Sequence, residues 1–161
     1  MFINFNFLLM FQTLLFFHSV FRWLVLGSLV FAIFKSVQGY RLKAAFTKSD
    51  NSLRHLTATI AHIQLMLGIY IYTQSPTVKY FFANPIDGFN DAIFFGLIHI
   101  SLMLVSIVLI TIGSAKAKRK PIDNEKFKTM AIWFSLALFI IFIAIPWPFS
   151  PLSNRPYLRT F

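Results

Sequence analysis

Cysteine is absent from this 161-residue chain. That excludes structural disulfides, thiolate-held iron–sulfur clusters, a Cys-x-x-Cys-His haem attachment and cysteine-based zinc sites. Carboxylates are scarce as well, with five Asp and Glu against fifteen Lys and Arg. None falls within a long apolar run, so a carboxylate proton relay or cation path through a membrane has no residues to run on. There is no glycine-rich phosphate loop and no His-Glu-x-x-His. Ser19, Ser28 and Ser106 have no evident acid–base partner set, which argues against a serine nucleophile.

Apolar sequence dominates instead. Hydrophobic residues make up 57% of the chain, 21 of them Phe, more than a water-soluble domain of this length can hide. Several runs reach the ~20 residues that a helix needs to cross the hydrocarbon core. The chain reads as one integral membrane domain, residues 1–161, with helices over about 13–37, 53–73, 91–114 and 129–145. Ser49 to Ser52 offer N-caps for the second helix, and Ser75-Pro76 ends it. Tyr80, Phe81 and Phe82 in the outer loop are expected to rest on the membrane surface. The apolar excess before residue 13 extends the first helix outward or lies at the interface. It lacks the basic start and the cleavage site of a signal peptide, so it is expected to remain as structure.

The net charge of +10 is unevenly distributed. Lys35, Arg41, Lys43, Lys48 and Arg54 cluster at one connection, and Lys116, Lys118, Arg119, Lys120, Lys126 and Lys128 at another. Only Lys79, Arg155 and Arg159 fall on the other side. Short Lys/Arg-rich loops stay cytoplasmic, so this is a topology signal and not a nucleic-acid footprint. The expected fold is all-α, a four-helix transmembrane bundle of up-down topology with both termini outside. The expected setting is the lipid bilayer of a bacterial inner membrane.

A few polar residues inside the spans need a reason. His18 and Arg22, followed by Trp23, open the first helix. His18 precedes Lys35 by the same spacing as His99 precedes Lys116. Helices one and three run in the same direction, so both histidines sit at one depth, ~25 Å above the first cytoplasmic lysine. His62 lies only ~12 Å above the cytoplasmic edge, on a face of helix two shared with His55, Thr59, Met66, Ile69 and Thr73. Gly96, His99, Met103, Ser106 and Gly113 form a stripe on helix three, small enough to admit a close helix or a flat cofactor.

Two histidines at one depth can give both axial nitrogens to an iron between them, so His18 and His99 are candidate ligands of a haem b. Arg22 would then face a propionate or a quinone head, and His62 is a further candidate cofactor contact. The plainer alternative is that these histidines are interhelical hydrogen-bonding residues. Arg22 would then be held by Asp87, Asp91 or a backbone carbonyl.

The stretch His18-Ser-Val-Phe-Arg-Trp-Leu-Val-Leu26, the run Ala61-His62-Ile63-Gln64 and the closing Ile145-Pro-Trp-Pro-Phe149 resemble a group of small four-helix membrane proteins of Bacteroidota, sometimes labelled cytochrome b. A more distant similarity is to the b561-type cytochromes, which bind haem through paired histidines on facing helices. That resemblance implies electron transfer, with His18 and His99 as the outer pair. His62 has no histidine partner at its depth, so a two-haem relay across the membrane is not implied. The expected function is therefore a b-haem or quinone-associated electron-transfer protein. The alternative is an accessory or scaffolding subunit of an inner-membrane complex, with no chemistry of its own.

Overall fold

A computed structural model describes residues 5–85 and 87–159. The described residues form five helices and no strand. These are α1 (Phe5–Arg41), α2 (Lys48–Gln74), α3 (Pro76–Ala83), α4 (Asp91–Arg119) and α5 (Asp123–Ala144). All but the short α3 are long and apolar enough to cross a membrane. The protein is a multi-pass membrane protein built as an all-α four-helix bundle.

The helices differ from the sequence reading mainly at their ends. Nothing between residues 5 and 41 breaks a helix, so α1 is continuous, ~55 Å long. α2 starts at Lys48 because Thr47 and Asp50 make a reciprocal capping box. Much of the expected second basic loop is helical, since α4 runs on to Arg119 and α5 begins at Asp123. Ser75 and Pro76 stop α2 and also start α3: Ser75 Oγ accepts from the Val78 N–H, and Pro76 occupies the first helical turn.

Around the bundle, α1 packs on α2, α2 on α4, α4 on α5 and α5 back on α1. Helices α1 and α4 are therefore diagonal across the centre. Leu29, Ala32, Ala61, Ile110, Met130, Phe134 and Ala137 form the buried core. Close approach depends on glycine. A Cβ at Gly113 would lie 2.3 Å from Trp133 Cβ, and one at Gly39 would lie 2.5 Å from the Phe127 ring. The stripe of small residues on α4 thus receives a neighbouring helix.

We call the end holding the two basic connections inner and the opposite end outer. At the inner end Arg54 is buried yet fully engaged. Its Nη1 donates to the Ser114 carbonyl at 3.1 Å and to Ser114 Oγ, while Nε and Nη2 donate to Asn51 Oδ1. A buried guanidinium with this many acceptors is tolerable, and here it ties α2 to α4.

Candidate functional site

α5 ends at Ala144, level with His99, while α4 continues outward by ~12 Å to Asp91. Residues 145–159 fold back into the space that this leaves. Trp147 is buried and donates through Nε1 to the Phe142 carbonyl at 2.8 Å. The Arg155 N–H donates to the Pro146 carbonyl, closing the segment into a loop. Asp91 at the start of α4 anchors it, accepting from Ser153 Oγ at 2.8 Å and from Arg155 Nη2 at 2.5 Å. On the far side, the Tyr157 carbonyl accepts from Trp23 Nε1 at 3.1 Å and from Arg22, and the Arg159 N–H donates to Ser19 Oγ. The tail therefore completes the outer end of the bundle.

Beneath this loop lies a cavity of about 210 Å³. Its depth is apolar, lined by Val25, Ala61, Leu65, Met103, Ile107 and Ile141. Its upper wall carries His18, Arg22, Gln64, His99, Arg155 and Arg159. The structure thus brings His18, His99 and Arg22 to one place.

The two histidines are held differently. His99 Nδ1 is 2.8 Å from the Ala144 carbonyl, which can only accept. In its neutral form His99 is therefore the Nδ1–H tautomer, and Nε2 presents a lone pair. His18 lies against α2 at Gly68, where a Cβ would stand 3.2 Å from His18 Cε1. Its Nδ1 is buried with no partner among the described residues. Gln64 Nε2 donates to the His18 carbonyl at 2.9 Å, but among the described residues Gln64 Oε1 is also buried without a partner, as is Arg22 Nε. Several buried polar atoms without partners in one small cavity are unusual in a folded protein.

A π-turn, Phe94–Ile98, immediately precedes His99. The His99 N–H bonds back to the Phe94 carbonyl, five residues earlier. Such a turn inserts one residue into the helical register and rotates the helix beyond it. Tyr72 on α2 supports it by donating its hydroxyl to the Gly96 carbonyl at 2.8 Å. Phe81 of α3 presses on it from outside, where a Cβ at Gly96 would lie 2.5 Å from the ring.

Arg22 is held by a backbone carbonyl, one of the partners expected from sequence; Asp91 is engaged by Arg155 instead. The Arg22 guanidinium also lies over the rings of Trp23 and Trp147 at 5.7 and 5.8 Å. Burial and neighbouring Arg155 lower the pKa of the Arg159 guanidinium, an effect partly offset by Asp91.

His62 is elsewhere. The face of α2 that holds His55, His62, Met66, Ile69 and Thr73 points outward, and Met66 is 68% exposed. The inward face is Arg54, Thr57, Ala58 and Ala61. His62 pairs with Thr111 Oγ1 at 3.0 Å across the α2–α4 seam and does not line the cavity. Sequence reasoning missed Gln64, Tyr72, Arg155 and Arg159 as cavity residues. A glutamine within a span and two arginines in a proline-rich tail were the available signals.

As a haem site the cavity is small. An engineered cavity of roughly 150 Å³ holds one benzene ring, so about 210 Å³ suits one substituted ring. Four pyrrole rings in a plane would require its walls to move apart. Among the described residues no group of three or more His, Cys, Asp or Glu is placed to hold a metal ion. No family model, curated protein or solved structure matches this chain.

Proposed function

We propose that the protein binds the head of a membrane quinone or quinol in the outer-leaflet cavity, as a quinone-associated electron-transfer component of a bacterial inner membrane. The observation that carries this reading is the group of polar side chains, His18, Arg22, Gln64 and His99, on the wall of a one-ring space whose depth is apolar. His99 Nε2 is an acceptor for a hydroxyl of a quinol. Arg22 is a donor for a quinone carbonyl, and the apolar depth takes the ring face. In this role the histidines bind and orient the head and can accept its protons. The electrons pass to a redox partner in the membrane or outside it. The cavity favours this occupant over haem b by size.

Solvent extraction of the detergent-purified protein, followed by chromatography, tests the reading. Co-purifying quinone is expected near one per chain, and depleted in His18→Leu and Gln64→Leu. A reduced-minus-oxidised visible spectrum is recorded on the same sample. Sharp haem bands lost in His18→Ala and His99→Ala would replace the quinone reading with the haem one. Absence of quinone, with no thermal shift on adding it, would remove the quinone reading.

A further inference from the structure

Three guanidiniums, those of Arg22, Arg155 and Arg159, line the mouth of the cavity. Their only carboxylate counterpart among the described residues is Asp91, which pairs with Arg155. Arg22 and Arg159 have no ion-pair partner among the described residues. The Nε atoms of Arg22 and Arg155 are buried with no hydrogen-bond partner among the described residues. Arg22 is held in place by the Tyr157 carbonyl and by Trp23 and Trp147, so its charge is positioned but not neutralised. Excess positive charge at membrane depth is costly and calls for an anion.

We propose that Arg22, Arg155 and Arg159 form an oxyanion site at the cavity mouth, which binds a phosphate group. The chemistry is that of a phosphodiester or free phosphate oxygen between guanidinium N–H donors. Trp23 is 41% exposed, and Tyr157 beside it and Phe149, stacked on Trp147, are exposed as well, an arrangement typical of the headgroup level. An anionic phospholipid satisfies both features, and free phosphate satisfies the first. The site shares Arg22 with the quinone reading and adds Arg155 and Arg159, which that reading does not use.

The test uses the full chain in detergent, with native mass spectrometry and thermal unfolding. Three probes are added: phosphatidylglycerol, phosphatidylcholine and inorganic phosphate. The basic inner loops also attract anionic lipid, so the readout is the difference between the wild type and Arg159→Gln. Among the described residues the Arg159 side chain makes no hydrogen bond that the fold would lose. Phosphatidylglycerol is expected to bind the wild type at least tenfold more tightly than Arg159→Gln does, and phosphatidylcholine equally weakly to both. Arg22→Lys, which keeps the charge, is expected to retain part of the difference. Stabilisation by inorganic phosphate alone, lost in Arg159→Gln, would assign the site to a free oxyanion. Equal binding of both lipids, or no effect of either arginine substitution with every probe, overturns the proposal. Quinone content is measured on the same samples, so loss of quinone and loss of phosphatidylglycerol binding are scored independently of each other.

Discussion

His99 Nδ1 and the carbonyl oxygen of Ala144 are 2.8 Å apart, and this contact joins the middle of α4 to the last residue of α5. The carbonyl belongs to the helix end, where no intrahelical donor is available. His99 therefore has a structural role in addition to any role toward a ligand, while His18, whose Nδ1 has no partner among the described residues, has no such bond to lose. His99→Leu is expected to destabilise the protein by about 1–3 kcal/mol, the cost of an unsatisfied buried carbonyl. His18→Leu is expected to change stability by less than about 1 kcal/mol. Thermal unfolding in detergent distinguishes the two, and equal losses would contradict this division of roles.

Gly113 and Gly27 make an internal comparison. A methyl at Gly113 meets Trp133 Cβ at 2.3 Å, and one at Gly27 meets nothing within 4 Å. Gly113→Ala should push α4 from α5 and cost about 1–3 kcal/mol. Gly27→Ala should be neutral or gain up to about 1 kcal/mol from helix propensity. Both are read as shifts in unfolding temperature.

Tyr72 holds the π-turn through a single hydrogen bond to Gly96. Tyr72→Phe keeps the ring and removes the donor, for an expected loss of about 1 kcal/mol. Because the turn sets the rotation of His99, ligand retention should fall as well. Unchanged retention together with lowered stability would show that the turn does not orient the histidine.

Asp91 is the anchor of the tail through Ser153 and Arg155. The chain has no cysteine, so a single L158C substitution gives an unambiguous labelling site. Asp91→Asn should loosen residues 153–159 and speed labelling at that position several-fold, with the bundle still folded by circular dichroism. A labelling rate equal to that of the parent would mean that the Trp147 and Tyr157 contacts suffice.

His62 lies outside the cavity, on the outward face of α2. His62→Leu is expected to leave quinone content and phosphate-dependent stabilisation within error of the wild type. A loss of either would require a route from that face to the cavity.

The four spans and their order were legible because length and hydropathy alone mark a membrane helix. Helix ends were less so. Thr47 and Asp50 form a capping box that reads from sequence only once the loop is known to be short, and Ser75-Pro76 reads as a stop although the same pair starts α3. The pairing of His18 with His99 could be read from equal spacing to the basic loops. The position of His62 could not, because in a bilayer the outward face is as apolar as the core. Small residues such as Ala58 and Ala61 mark the inward face of α2, and hydropathy does not rank them above Ile63 or Met66. Arg155 and Arg159 reach the cavity through a fold-back after α5, which no local pattern encodes.

The tail that fills the outer end of the bundle also sets an order of events in biogenesis. Residues 145–159 are synthesised after all four spans, and they dock on Asp91, Ser19 and Arg22 only once α1 and α4 stand together in the bundle. Insertion of the helices and closure of the cavity are therefore separate steps. Between them the newly inserted bundle stands open at the end that the tail later fills, and a lipid-borne molecule can enter without displacing any part of the chain.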